Sequence, residues 1–338
     1  MESLLEKLKK FGFTKYEALT YITLLAHGPL TARGISQKGQ IPYNRTYDVL
    51  TSLKERGFVE ELEGKARTFV AVEPEVAFHR YSRSLKELVG EIKKFAEGMR
   101  IEDRKHAIWR FSSPEEVLLS MKNMMDETGF EFTLLAPSGF IPKVEDGLKG
   151  LLERGATVSI YTNEEPPLRL EGNLFVRITD KIGHIIAVRD TKEVLVSPSL
   201  VFNVGKELPS GFKSNFPEIV FSHYIYLRDI FEASEPLDYT LKDRGEIRFA
   251  MCYHALQVIE GLLREGLEVD AEVHTSSGEV LGGRVVDFTN TKIINNFVLE
   301  AGERRVLIGG PFSILEEYEA MGIVLRPKGT DSKNVAGE

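Results

Sequence analysis

The first 72 residues are punctuated so densely that few folds can accommodate them. Gly12, Thr14, the Gly28-Pro29 pair, Thr31, the stretch from Gly39 to Pro42 and Gly57 divide them into short amphipathic segments. LLEKLKKFGF puts Leu4, Leu5, Leu8 and Phe11 on one helical face, and Gly12 ends it. Thr14 stands where its hydroxyl caps the next helix, with Glu17 three residues on as a capping-box partner. KYEALTYITLLAHG then turns Ala18, Tyr21, Ile22 and Leu25 inward before the Gly-Pro stop. Thr31 caps a short helix, ARGISQKG, that buries Ile35. In the fourth helix, NRTYDVLTSLKERG, Tyr47, Leu50 and Leu53 lie three apart with Val49 beside them. Past Gly57 the rhythm becomes that of strands, FVEELEG and KARTFVAV, a hairpin with Gly64 and Lys65 at its tip.

Helices followed by such a hairpin form a winged helix-turn-helix, expected over residues 1–78. In that fold the second helix of the pair enters the DNA major groove by its N-terminal end. Here that end reads Tyr43, Asn44, Arg45 and Thr46. Asparagine and arginine pair with adenine and guanine edges, while tyrosine and threonine reach phosphate or a thymine methyl. Lys65 and Arg67 on the wing suit backbone phosphates or the minor groove. A winged helix that binds protein rather than DNA is the competing reading. The overall charge of -8 argues against nucleic acid until it is divided along the chain. Basic residues outnumber acidic ones 19 to 15 within residues 1–109, whereas the remainder is acidic by 36 to 24. A phosphate-binding surface therefore belongs to the first third.

Residues 79–108 read as a dimerising helix or linker. Leu85, Leu88 with Val89, Ile92, Phe95 and Met99 keep the 3-4 spacing of a coiled-coil seam. A homodimer is expected because helix-turn-helix proteins bind paired half-sites; packing on the chain's own domain is the alternative.

From Trp109 helix and strand patterns alternate, an α/β texture expected over 109–245. Pro114 to Thr128 reads as a helix, FEFTLLAP as a buried strand and PKVEDGLKGLLERG as a helix. TVSIYT, LFVRIT, HIIAVRD and EVLVSP follow as strands, then a helix around Ser222 to Phe231. A small α+β module is expected over 246–328, with a helix at CYHALQVIEGLLREG and short strands turning at Ser277-Gly278 and Asn290-Thr291. Residues 329–338 read as a polar tail. No apolar run reaches the ~18 residues of a membrane span, and the charged start is unlike a secretory signal. Cys252 is the sole cysteine, which excludes an intrachain disulfide or a cysteine metal cluster and fits a reducing cytoplasm.

The chain lacks Gly-x-Ser-x-Gly, HExxH, P-loop and GxGxxG patterns, so no catalytic residue, metal or cofactor is expected. HIIAVRDTKEVLVSPS resembles the phospholipase D element His-x-Lys-x4-Asp, with His184 matching. Ile186 replaces the lysine, Thr191 the aspartate, and Asp190 falls one residue short. His223 has no lysine at the required offset either. The expectation is a phospholipase D-like scaffold without its chemistry; a residual phosphodiesterase using His184 is the alternative.

The block TKYEALTYITLLAHGPLTARGISQKGQIPYNRTYDVLTSLKERGFVE, with the order of parts after it, resembles the archaeal TrmB family of sugar-responsive transcriptional regulators. The resemblance implies repression of sugar transport and metabolism genes from operator DNA, relieved by maltose, trehalose, maltodextrin, sucrose or glucose. It also suggests Ser222 as a sugar contact. A sugar site needs carboxylates, amides and an aromatic wall. NTKIINNF supplies Asn290, Asn295 and Asn296, and IGGPFSILEE supplies Gly309, Gly310, Phe312, Glu316 and Glu317. The candidate sugar residues are therefore Ser222, Asn295, Asn296, Gly310, Phe312 and Glu316. A non-sugar effector such as a nucleotide is the runner-up.

Overall fold

The computed structural model describes residues 2–62, 64, 67–98, 106–167, 169–199, 202, 211–238, 245–291, 294–313 and 315–328. The chain divides into two units, Met1–Arg104 and Lys105–Glu338. Among the described residues no helix is long and apolar enough to cross a membrane.

The first unit is a winged helix-turn-helix. Helices α1 (Glu2–Lys10), α2 (Lys15–His27), α3 (Ala32–Gly39) and α4 (Tyr43–Glu55) precede the wing. Strands β1 (Leu30–Thr31), β2 (Val59–Leu62) and β3 (Thr68–Ala71) form one antiparallel sheet in the order β1-β3-β2. The capping box at α2 is formed in both directions. The Glu17 amide donates to Thr14 Oγ1 at 3.2 Å, and the Thr14 amide donates to Glu17 Oε2 at 2.7 Å. Glu17 also accepts from Ser52 Oγ at 2.6 Å and pairs with Arg56 at 3.3 Å, which ties the start of α2 to the end of α4. The Arg56 guanidinium in turn lies 4.4 Å over the Phe13 ring and 5.0 Å over that of Tyr81.

Several faces differ from expectation. Helix α2 buries Ala18, Tyr21 and Leu24, so Leu25 turns outward. In α4 the inward stripe is Thr46, Val49, Leu50 and Leu53, each three or four residues from another on one face, which leaves Tyr47 about 100° round toward solvent. Among the described residues of α1 Leu8 is buried and Leu4 exposed, and Phe11, just past its end, is exposed and rests edge-on against Phe78. Helix α5 (Pro74–Gly98) contributes Ala77, Phe78 and Tyr81 to this core. Beyond them Leu85, Leu88, Val89, Ile92 and Phe95 are 45–66% exposed. Met99 lies outside the described residues.

The second unit contains two sheets. Its larger one comprises β4 (Ile108–Phe111), β5 (Glu131–Leu135), β6 (Thr157–Thr162), β7 (Leu174–Ile178), β8 (His184–Arg189), β9 (Glu193–Pro198), β10 (Gly211–Ser214) and β11 (Glu235–Asp238). Their order is β11-β7-β6-β5-β8-β9-β10-β4, with β5, β6 and β7 parallel. β5 and β6 are buried at every position, as expected for strands covered on both faces. Helices α6 (Pro114–Asp126) and α7 (Glu145–Glu153) cover one face through Val117, Met121, Leu148 and Leu151. The other face packs against α8 (Pro217–Ala233) through Val220, Tyr224, Leu227 and Ile230.

The smaller sheet packs on helix α9 (Cys252–Arg264), whose Leu256, Ile259 and Leu262 fill its core. It runs β12 (Ile247–Phe249), β17 (Tyr318–Lys328), β13 (Glu268–Thr275), β14 (Val280–Asn290), β15 (Asn295–Ala301), β16 (Arg304–Gly309), and a short parallel β16–β17 pairing closes it on itself. The strands expected to be short are not: β14 and β17 each span 11 residues. Gly283 makes the close β14–β15 approach possible, since a Cβ there would sit 2.2 Å from the Glu300 carbonyl oxygen. A backbone atom cannot swing aside. Gly283→Ala should therefore destabilise this unit by about 1–3 kcal/mol, read as a lowered thermal midpoint with an unchanged midpoint for the winged helix.

Candidate functional site

Two regions carry the candidate residues, one in each unit. In the first, Tyr43, Asn44 and Arg45 are exposed at the first turn of α4. Its N-cap, Pro42, offers no side-chain hydrogen bond, so the helix begins without a side-chain cap. Thr46 does not belong to this edge. It is fully buried and its hydroxyl donates to the Pro42 carbonyl at 3.2 Å. Tyr47 takes its place outside, its ring 6.1 Å from that of Tyr43 in an edge-to-face pair. The helical period read from Thr46 rather than from Tyr47 would have found it. On the wing Arg67 is exposed but engaged. Its Nε and Nη2 donate to Glu61 at 2.6 and 3.2 Å, while Lys54 donates to the same carboxylate at 2.6 Å. Hydrogen bonds from Arg67 and Lys54 hold the Glu61 carboxyl down at about 2. Lys65 lies outside the described residues.

In the second unit, α8 and two loops of the smaller sheet enclose a cleft of about 900 Å³ including its open mouth. Asn295, Gly310, Phe312 and Glu316 line it from one side, and Phe221, Tyr224 and Arg228 from the other. The Phe312 and Phe221 rings lie 4.5 Å apart. Phe312 is held at φ +65, a left-handed conformation uncommon for a large residue, and its amide donates to Glu319 Oε1 at 2.6 Å. The two glycines permit close packing. A Cβ at Gly310 would lie 2.8 Å from Cys252 Cβ and 3.0 Å from the Tyr224 hydroxyl. At Gly309 it would lie 2.7 Å from Glu316 Cγ.

The polar groups of the cleft are ordered by each other. Arg228 Nη1 donates to Asn295 Oδ1 at 3.1 Å, and Asn295 Nδ2 donates to Asn290 Oδ1 and the Thr291 carbonyl at 3.1 and 2.9 Å. Asn296 is buried behind the wall, where its Nδ2 donates to Glu316 Oε1 at 3.0 Å; it orients the carboxylate rather than lining the cleft. Arg228 and Glu316 thus bring donor and acceptor groups to a cleft that also holds the Phe221 and Phe312 rings. Ser222 is not among the lining residues. It sits one position past Phe221 on α8, exposed, with its hydroxyl donating to the Ile219 carbonyl at 2.8 Å. The 3-4 spacing of Phe221, Tyr224, Ile225 and Arg228 was the signal for this wall. Cys252, beneath Gly310, is inert: burial, and then the charge of Glu316, push its thiol up to about 12.

The residues nearest to a phospholipase D element are used structurally. Asp190 accepts the backbone N–H groups of Gly129, Phe130 and Glu131, each at 2.9 Å. Ile186 and Thr191 are buried, and His184 is exposed at the start of β8. Among the described residues no group of three or more His, Cys, Asp or Glu could hold a metal ion.

Comparison with known proteins gives three family matches in sequence order. Residues 8–75 match the sugar-specific transcriptional regulator TrmB. Residues 107–235 match the TrmB EBD N-terminal subdomain, and residues 244–328 the TrmB/TrmBL1 EBD C-terminal subdomain. The HTH-type sugar sensing transcriptional regulator TrmBL1 of Pyrococcus furiosus is 27% identical over 96% of this chain and 98% of its own. The DNA-binding HTH-type transcriptional repressor TrmBL2 of Thermococcus kodakarensis is 28% identical over 66% of this chain and 90% of its own. These relatives are named as regulators and not as enzymes. The phospholipase D family member Nuc from Salmonella typhimurium superposes at a TM-score of 0.31, with 16% identity over 40% of this chain and all of its own. A likeness that slight carries no argument about the larger sheet. With its winged helix and both EBD subdomains matched in order, the chain belongs to the TrmB family of sugar-specific transcriptional regulators.

Proposed function

We propose that this chain is a dimeric, sugar-controlled regulator that holds operator DNA ahead of sugar transport and metabolism genes in the cytoplasm and releases it when sugar occupies the cleft. The observation that carries the reading is the cleft itself, in which Asn295, Gly310, Phe312 and Glu316 meet the α8 side chains Phe221 and Arg228. Its size suits a mono- or disaccharide, and maltose, trehalose, maltodextrin, sucrose and glucose are the sugars to try. The larger sheet is read as a phospholipase D-like scaffold without catalysis. The apolar stripe on α5 serves as the coiled-coil seam of the dimer.

Sugar binding favours an arrangement of the two winged helices that no longer fits the operator half-sites. Operator affinity then falls by the coupling free energy, typically ~1–3 kcal/mol. Titration of operator DNA with and without each sugar tests this directly. An affinity that no sugar changes refutes sugar control.

On the DNA side, Tyr43, Asn44 and Arg45 read bases, with Tyr47 beside them, and Arg67 and Lys65 meet phosphates. Arg45→Ala should cost roughly 1–3 kcal/mol in operator binding and relax base preference at one position. A uniform loss across all sequences would instead make Arg45 a phosphate contact.

A further inference from the structure

Among the described residues the most deeply buried carboxylate belongs to Glu131, at the start of β5, with 1% exposure. Both of its oxygens are occupied. Oε2 accepts the backbone N–H groups of Ala250 and Met251 at 3.0 and 2.9 Å, the turn that starts α9. Oε1 accepts from Ser159 Oγ at 2.6 Å and pairs with His254 Nδ1 at 2.5 Å. The other ring nitrogen of His254 meets the Tyr161 hydroxyl. One side chain of the larger sheet therefore fixes a five-residue segment, 250–254, that opens the smaller module. Burial by itself would raise this carboxyl; His254, Ser159 and the Met251 amide together outweigh it and hold it below the usual range. The anchor is thus an ionised group.

The opposite side of the same segment supports the cleft. Cys252 Cβ is the atom that Gly310 packs against, and Cys252 Sγ approaches the Asn295 carbonyl at 3.6 Å. The Tyr253 ring meets Tyr224 at 5.2 Å and Phe231 at 5.2 Å, both on α8. Segment 250–254 is consequently a floor that touches both walls, and Glu131 binds its first, second and fifth residues. Among the described residues, the hydrogen bonds of the Glu131 carboxylate go to Ser159, Ala250, Met251 and His254 and not to the loops that line the cleft.

We propose that Glu131 is a positioning residue of the effector cleft, holding segment 250–254 so that the Gly310 loop and α8 face each other at ligand-binding distance. The inference rests on the reading of the cleft as the effector site. Glutamine at this position keeps the shape but brings one NH2 group, which must face either the two backbone N–H donors or the Ser159–His254 pair. Facing the amides it meets two donors; facing Ser159 and His254 it is met only if both turn round to accept. Either way the charge that the four partners bind is gone, so the anchor slips.

Hydrogen exchange on the full-length protein without sugar tests this in wild type, Glu131→Gln and Tyr161→Phe. Glu131→Gln should speed exchange roughly tenfold in residues 250–256 and also in 309–316, across the floor from the substitution. Tyr161→Phe, which leaves all four partners of the carboxylate in place, should leave 309–316 near wild type. A change confined to 250–256 overturns the proposal, and so does an equal rise in helix α6, which marks general loosening. Should Glu131→Gln fail to fold, Ser159→Ala removes one of the four partners, and a smaller rise in the same two segments is expected; none in 309–316 overturns it. Calorimetric titration with maltose and sucrose adds the functional arm, in which Glu131→Gln binds roughly tenfold more weakly than wild type. Equal binding overturns the positioning role. A wild-type protein that binds no sugar refutes the sugar reading, while the exchange pattern still decides whether Glu131 sets the cleft.

Discussion

Placing aspartate at both Ile92 and Phe95 is expected to yield a monomer whose operator affinity is lower by roughly two to four orders of magnitude. Helix α5 is 25 residues long, and only its first turns belong to the winged-helix core. Leu85, Leu88, Val89, Ile92 and Phe95 continue along one face with about half of each side chain in solvent. Such a stripe, at a 3-4 rhythm and flanked by charges, is stabilised when a second copy covers it. Aspartates there bury nothing and break nothing within one chain, so the thermal midpoint of the winged helix should not move. Two tethered winged helices bind paired half-sites as one event, and separated ones forfeit that effective concentration. Light scattering reads the mass, and titration of full operator against a single half-site reads the avidity. A variant that stays dimeric places the interface elsewhere; a wild type that is already monomeric means that α5 packs on its own chain.

Glu316→Ala should weaken sugar binding by roughly 10- to 150-fold, the factor for losing hydrogen bonds to a charged group of about 1.5–3 kcal/mol. The loss has two parts. The carboxylate itself is the acceptor in the cleft, and its removal also strands the buried Nδ2 of Asn296. Glu316→Gln, which retains one oxygen for Asn296, should lose less. In both variants operator affinity without sugar stays at the wild-type value, because the substitution lies in the second unit. Calorimetry for the sugar and fluorescence anisotropy for the operator separate the two effects. A variant that binds sugar normally removes Glu316 from the site.

Local chemistry was readable in the sequence, and three-dimensional neighbours were less so. The capping box of Thr14 and Glu17, the Thr31 cap of α3 and the buried strand at 131–135 all depend on residues a few positions apart, and they stand as expected. Face assignment failed where two stripes were equally apolar. Tyr47 and Thr46 both fit α4, and the helix buries Thr46, whose hydroxyl bonds to the Pro42 carbonyl one turn back. The loop side of the cleft was legible because asparagines, paired glycines, phenylalanine and glutamate cluster in two short runs. Its α8 side was not, since Arg228 reads as a surface residue until Asn295, 67 positions later, is brought beside it. Ser222 was assigned by resemblance; it is exposed on α8 with its hydroxyl donating to the Ile219 carbonyl.

Asp190 bears on what this scaffold could be made to do. Its carboxylate gathers three consecutive amides at the mouth of β5, and it and Thr191 adopt left-handed backbone angles of +47 and +52. A designer wishing to install hydrolysis would need a lysine where Ile186 fills the interior and an acid where Thr191 is enclosed, without disturbing the neighbouring aspartate. Each change alone sets an ionisable group in a buried position, where it lacks a partner of opposite charge. A charge at position 186 or 191 is therefore expected to lower the stability of the larger sheet before it could serve any chemistry.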